Sequence, residues 1–239
     1  MKSNIINQYF DHVFVISTVE NTGRQKRITD YLDSLGIKYN LRIAPPKEYF
    51  EGKPCEGFIL YWDPVAWMHP GATSLKLCYL SIFAECVYRG IDKLLILEDD
   101  IIFENDYETK FDVFMKHVPN EWELLNIGHH GSKTSSWKFE PIDEYVSLCE
   151  YAYASHIVAI QGKKTLTRLI NKFRTDQAPV DFVFGYFTHG LKLDMFKSDS
   201  EPFMKSYIPN EIICRQQSYR HDCKSGVDNP DVMFKSLIG

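Results

Sequence analysis

The run Leu94-Leu95-Ile96-Leu97-Glu98-Asp99-Asp100-Ile101-Ile102 constrains the fold more than any other stretch of this chain. Four consecutive apolar residues predict a strand covered on both faces, with three acids where it emerges at its carboxyl end. Adjacent carboxylates repel one another. They make sense if a divalent cation lies between them and something anionic, because hard oxygen ligands suit Mg²⁺ or Mn²⁺ that also holds phosphates. The alternative is a solvated acidic turn after a core strand. The position favours neither strongly, although open α/β sheets bind ligands at this edge.

The rest of the chain supplies the matching elements. His12 to Ser17 predicts a strand, Arg24 to Leu35 a helix ended by Gly36, and Lys38 to Ile43 a second strand stopped by Pro45-Pro46, together a first βαβ unit. Residues 45 to 72 carry Pro, Gly and aromatics without period and predict a surface loop. Its aromatics, Tyr49 to Trp67, suit either covering a site or packing on the core. Helices are expected from about Ser74 to Tyr88, with Gly90 as the stop, from Asp106 to His117, and from Gly162 to Phe173; Val180 to Thr188 predicts a shorter one. Strands are expected around Trp122 to Gly128 and within Tyr145 to Ile160, and the tail from Leu191 as a strand plus an irregular wrap.

Composition excludes several classes. The net charge is −5 with no Lys/Arg run, which argues against a nucleic-acid partner. Met1 to Phe10 is too polar for a signal peptide and no run reaches transmembrane length, so a soluble, cytoplasmic chain without a membrane-spanning segment is expected. Neither GxGxxG nor a P-loop is present. The six cysteines lack CxxC spacing and predict reduced thiols, with Cys214 and Cys223 able to pair in an oxidising compartment.

The strand-loop-helix opening with Arg24 and Arg27, the Glu98-Asp99-Asp100-Ile101 strand end, the Glu123 to Gly128 strand and the Pro179-Val180-Asp181 turn together resemble glycosyltransferase family 25. That family includes lipooligosaccharide and procollagen galactosyltransferases, and the resemblance covers most of the chain in order. It implies a single GT-A (Rossmann-like) α/β domain over 1–239, with a mixed, mostly parallel sheet flanked by helices. The nucleotide-sugar part would be about 10–130 and the acceptor side about 131–239. It also implies an inverting, Mn²⁺- or Mg²⁺-dependent transfer of galactose or glucose from a UDP-sugar donor to a glycan or protein acceptor.

By that resemblance Asp100 is a metal ligand, Glu98 and Asp99 orient the ribose, a metal-bound water or the donor sugar, Glu98 also counts among the metal ligands, and His221 is a late ligand or a solvated tail residue. Asp181 is the general base, its alternative being a helix N-cap. Three positions depart from the family: Leu77-Cys78 and Ser81-Ile82 replace its Gly-Cys and Ser-His, and Phe182 replaces the second acid of its Pro-x-Asp-Glu turn. For the donor's base and phosphates, Ser17, Asn21, Arg24 and Arg27 lie at the end of the first strand or the start of its helix, where anions are favoured. Lys76, in the first turn of the expected helix, is a further phosphate candidate, and His129 and His130 are expected at the same sheet edge. Two other readings compete: a sugar nucleotidyltransferase, disfavoured by the single glycine in Ser17 to Gly23, and a lapsed GT-A domain that binds glycan or protein without turnover.

Overall fold

In the computed structural model the residues described are 4–50, 70–128, 139–149, 156–175, 180, 181, 183, 184 and 204–217. In chain order they form α1 (Ile5–Tyr9), β1 (His12–Thr18), α2 (Thr22–Ser34), β2 (Asn40–Ala44), a 3-10 turn (Lys47–Phe50), α3 (Pro70–Arg89), β3 (Lys93–Glu98), β4 (Ile101–Phe103) and α4 (Tyr107–His117). There follow β5 (Leu124–Asn126), β6 (Phe139–Pro141), β7 (Val146–Cys149), β8 (Ile157–Gln161), α5 (Lys163–Thr175), β9 (Ser206–Pro209) and β10 (Cys214–Gln216). Residues 180, 181, 183 and 184 are helical.

The apolar run after Lys93 does form the expected doubly covered strand. Side chains alternate across a strand, so Leu94 and Ile96 face one layer and Leu95 and Leu97 the other. The first layer is α3 and α5, which bring Tyr79, Ile82, Phe83, Leu166, Leu169 and Phe173. The second is α1, α2 and α4, with Ile6, Ile28, Leu32, Phe111 and Phe114. Each large apolar side chain so buried contributes roughly 1.5–3 kcal/mol, which is what ties the layers to the sheet. Gly36 and Gly90 stop α2 and α3 at φ of 67° and 71°, a conformation that disfavours any side chain.

The eight-stranded sheet has the order β2-β1-β3-β8-β5-β9-β7-β6, and β4 pairs with β10 beside it. β1 is parallel to β2 and β3, and β5 to β9; β8 is antiparallel to both β3 and β5. The expected mixed α/β architecture is therefore present. Two local expectations need correction, and one element is unanticipated. α3 begins at Pro70 rather than Ser74, so Lys76 lies beyond its first turn. The tail contributes two strands, β9 and β10, where one was expected. The segment before β1 contains α1, whose first turn is capped by Asn4 accepting from the Ile6 N–H.

Among the described residues no helix is long and apolar enough to cross a membrane. Cys78, Cys86, Cys149 and Cys214 are buried, and burial pushes Cys78 and Cys86 up to about 12, which makes them unreactive. Cys55 and Cys223 lie outside the described residues.

Candidate functional site

β1 and β3 run parallel with Ile16 opposite Glu98, so Ser17 and the acidic turn leave the sheet at the same edge. Ser17 donates from Oγ to Asp99 Oδ2 at 2.5 Å. From α2, Arg24 Nη1 stands 3.4 Å from Asp99 Oδ1 and 3.8 Å from Asp100 Oδ2, while Arg27 Nη2 donates to the Asp99 carbonyl at 3.3 Å. The arginine expected at the donor's phosphates is thus already engaged by the acids. Burial pushes the Asp99 carboxyl up; Ser17 and Arg24 pull it back without cancelling the rise.

Asp100 is held from the other side by β10. Gln216 Nε2 donates to its Oδ2 at 2.8 Å and the Gln217 N–H to its carbonyl at 2.6 Å. Its second carboxylate oxygen, Oδ1, is buried and has no hydrogen-bond partner among the described residues. A buried carboxylate oxygen without a donor is costly, and a cation is the ordinary remedy.

β8 supplies a residue that inspection of strand ends in one direction overlooks. An antiparallel strand brings its amino end to the edge where its neighbour's carboxyl end emerges. Leu97 pairs with Ile157, so His156 falls opposite Glu98: the Glu98 N–H donates to the His156 carbonyl at 2.8 Å, and the ring Nδ1 is 3.1 Å from Glu98 Oε2. Close approach of the next strand helps fix it there. A Cβ on Gly128, just past β5, would meet the Ile157 nitrogen at 2.8 Å and His156 Cβ at 3.3 Å. Glu98, Asp100 and His156 each bring one donor atom within 4.8 Å of the others, a mixed oxygen and nitrogen set that fits a divalent cation. The signal was present in the sequence. His156 stands immediately before the apolar run 157–160, the mirror image of the acids that follow 94–97.

Burial alone would lower the His156 ring, but its bond to Glu98 and the charges of Glu98, Asp100 and Asp181 outweigh it and hold the ring above its ordinary value. Asp181 therefore lies near enough for its charge to act at His156, which brings the expected base to the same edge as the acids.

Asn21 is the N-cap of α2 and makes no side-chain capping bond. Lys76 is buried, with its ammonium 5.8 Å from the centre of the Phe173 ring between α3 and α5. His129, His130, Pro179, Phe182 and His221 lie outside the described residues, as do residues 51–69 of the aromatic loop.

The profile of glycosyltransferase family 25, described as an LPS biosynthesis protein, matches residues 10–178. The chain is 26% identical over 134 residues to "Probable inactive glycosyltransferase 25 family member 3" of Bos taurus, covering 50% of this chain and 22% of that protein. It is 23% identical over 173 residues to "Procollagen galactosyltransferase 1" of Danio rerio, covering 66% of this chain and 28% of that protein. With "Procollagen galactosyltransferase 2" of Mus musculus it shares 22% over 171 residues, 66% of this chain and 27% of the relative. The match thus spans under a third of each relative's length. With most of the chain inside the family profile and the acidic strand end built as described, this chain belongs to glycosyltransferase family 25.

Proposed function

We propose that this chain is a metal-dependent, inverting hexosyltransferase that moves galactose or glucose from a UDP-sugar to a hydroxyl of a glycan or protein. The observation that carries the reading is Asp100 Oδ1, a buried carboxylate oxygen without a donor among the described residues, beside Glu98 at the carboxyl edge of β3 in a family 25 chain. Residues about 10–130 form the donor side and about 131–239 the acceptor side. Glu98 and Asp100 hold the cation, Mn²⁺ or Mg²⁺, which when bound neutralises charge developing on the diphosphate.

The chain's own residues do the rest. Ser17, Arg24 and Arg27 fix the Asp99 turn, so that the neighbouring carboxylates keep one geometry. Arg24, beside both acids, is placed to steady a diphosphate next to them. Asp181 accepts the proton of the acceptor hydroxyl as that oxygen bonds to the anomeric carbon; the bond from that carbon to the diphosphate oxygen breaks and its electron pair leaves with UDP. Attack opposite the leaving group inverts the anomeric configuration.

The test is UDP release from UDP-galactose and UDP-glucose in Mn²⁺, with and without EDTA. The reading expects slow release that EDTA abolishes. A second reading, a domain that binds the nucleotide sugar or a glycan without turnover, is favoured by the word "inactive" in the names of several relatives and by Phe182 in place of the second acid. It expects UDP binding with no release.

A further inference from the structure

We infer that His156 is a nitrogen ligand of the cation held by Glu98 and Asp100, and that this imidazole makes the site select Mn²⁺ over Mg²⁺ and Ca²⁺. The inference rests on the metal-dependent reading above and adds a residue and a selectivity to it.

Three observations support the assignment. The donor atoms of Glu98, Asp100 and His156 lie within 4.8 Å of one another. Bonds of ~2.1 Å put opposite ligands roughly 4.2 Å apart, so the cluster closes on an ion with side-chain shifts of a fraction of an ångström. Next, the position of His156 is set by regular pairing: β3 and β8 place it opposite Glu98 through backbone hydrogen bonds, and sites built on strands are held more tightly than sites on loops. Last, Asp100 is 8% exposed and its Oδ1 has no hydrogen-bond donor among the described residues.

The contact between His156 Nδ1 and Glu98 Oε2 bears on how the ring would act. Ligands at ~2.1 Å on adjacent positions of one ion stand roughly 3 Å apart, so the ring and the Glu98 carboxylate already have the spacing that sharing an ion requires. Carboxylates alone accept Mg²⁺ and Ca²⁺ readily. An imidazole shifts preference toward transition metals, because nitrogen is a softer donor than the oxygen those two ions demand.

A merely structural His156, one that only steadies Glu98, would not place nitrogen on the metal. The test therefore uses Mn²⁺ alone with the full chain: pulsed electron paramagnetic resonance reads ¹⁴N modulation on bound Mn²⁺, and loss of the free-ion signal gives its affinity. Expected are ¹⁴N modulation in the unmutated chain and in His221→Gln, its loss in His156→Gln, and ~10-fold or more weaker Mn²⁺ binding in His156→Gln. Competition should show Mg²⁺ affinity changing by less than about 3-fold in the same variant. Thermal melting confirms folding; if His156→Gln does not fold, the modulation in the unmutated chain and in His221→Gln decides. No Mn²⁺ binding, bound Mn²⁺ without ¹⁴N modulation, modulation retained in folded His156→Gln, modulation lost in folded His221→Gln, or equal loss of Mn²⁺ and Mg²⁺ affinity overturns the inference. Its failure is separable from that of the transferase reading. Nitrogen on bound Mn²⁺ without UDP release sinks only the latter; Mn²⁺-dependent release without nitrogen on the metal sinks only the former.

Discussion

Ser17 Oγ donates to Asp99 Oδ2 across 2.5 Å with both residues buried, and so fastens the end of β1 to the acidic turn after β3. Ser17→Ala leaves the carboxylate short of a donor. The expected cost is ~1–3 kcal/mol of folding stability, read from urea denaturation. A loss below ~0.5 kcal/mol would mean that solvent or Arg24 replaces the hydroxyl without penalty.

Gly128 is where β5 leaves the sheet against the start of β8. A Cβ there meets the Ile157 backbone nitrogen at 2.8 Å, and backbone in the middle of a sheet cannot swing aside as a side-chain tip can. Gly128→Ala is expected to cost ~1–3 kcal/mol and to displace His156, so thermal stability and Mn²⁺ affinity should fall together. An unchanged melting temperature would show that the two strands part freely.

Asp143 governs part of the acid response. Burial would raise its carboxyl, but the N–H groups of Tyr145 and Val146 and the ring of His117 more than offset that and hold it below the ordinary value of 3.8. Because the folded value is depressed, its contribution to stability is present above 3.8 and is lost as pH falls through the lower folded value. Asp143→Asn should therefore destabilise the chain at about pH 6, and the gap from the unmutated protein should shrink toward about pH 2.5. Urea melts at both pH values check this; a gap that widens on acidification would reverse the sign.

Legibility followed the physics of each signal. The apolar run at 94–97 and the periodic stripes of α2, α4 and α5 were readable because burial on two faces, or on one helical face, is written in local pattern. The acidic edge was readable for the same reason. Strand direction is not written that way, since an apolar run looks alike in either sense, and so the antiparallel course of β8 and with it His156 went unseen. Gln216 reaches Asp100 only because β10 pairs with β4 far away in sequence, a contact that no local pattern records. Lys76, a phosphate candidate by its place in the sequence, is buried against Phe173, because α3 packs on α5 along that face.

Asp181 separates chemistry from binding. As the base it contributes ~10²–10⁴-fold to the rate, so Asp181→Asn should cut acceptor-dependent transfer by that order while the calorimetric Kd for UDP stays within about 3-fold. Asp181 follows Val180 inside the helical stretch and so is not the N-cap that its place after Pro179 suggests; if it takes no part in the chemistry, Asp181→Asn should leave both quantities unchanged.

The central claim is that Asp100 would hold a divalent cation that the departure of UDP requires, and Asp100→Asn tests it most directly. The amide is nearly isosteric and can keep the Gln216 contact through its oxygen, yet it is a poor ligand for a hard cation. The measurement is the initial rate of UDP release from UDP-galactose and UDP-glucose at limiting and saturating Mn²⁺, alongside a thermal melt. The account predicts a folded variant whose release is lost at both concentrations. A folded Asp100→Asn protein that releases UDP at the unmutated rate in limiting Mn²⁺ would contradict it.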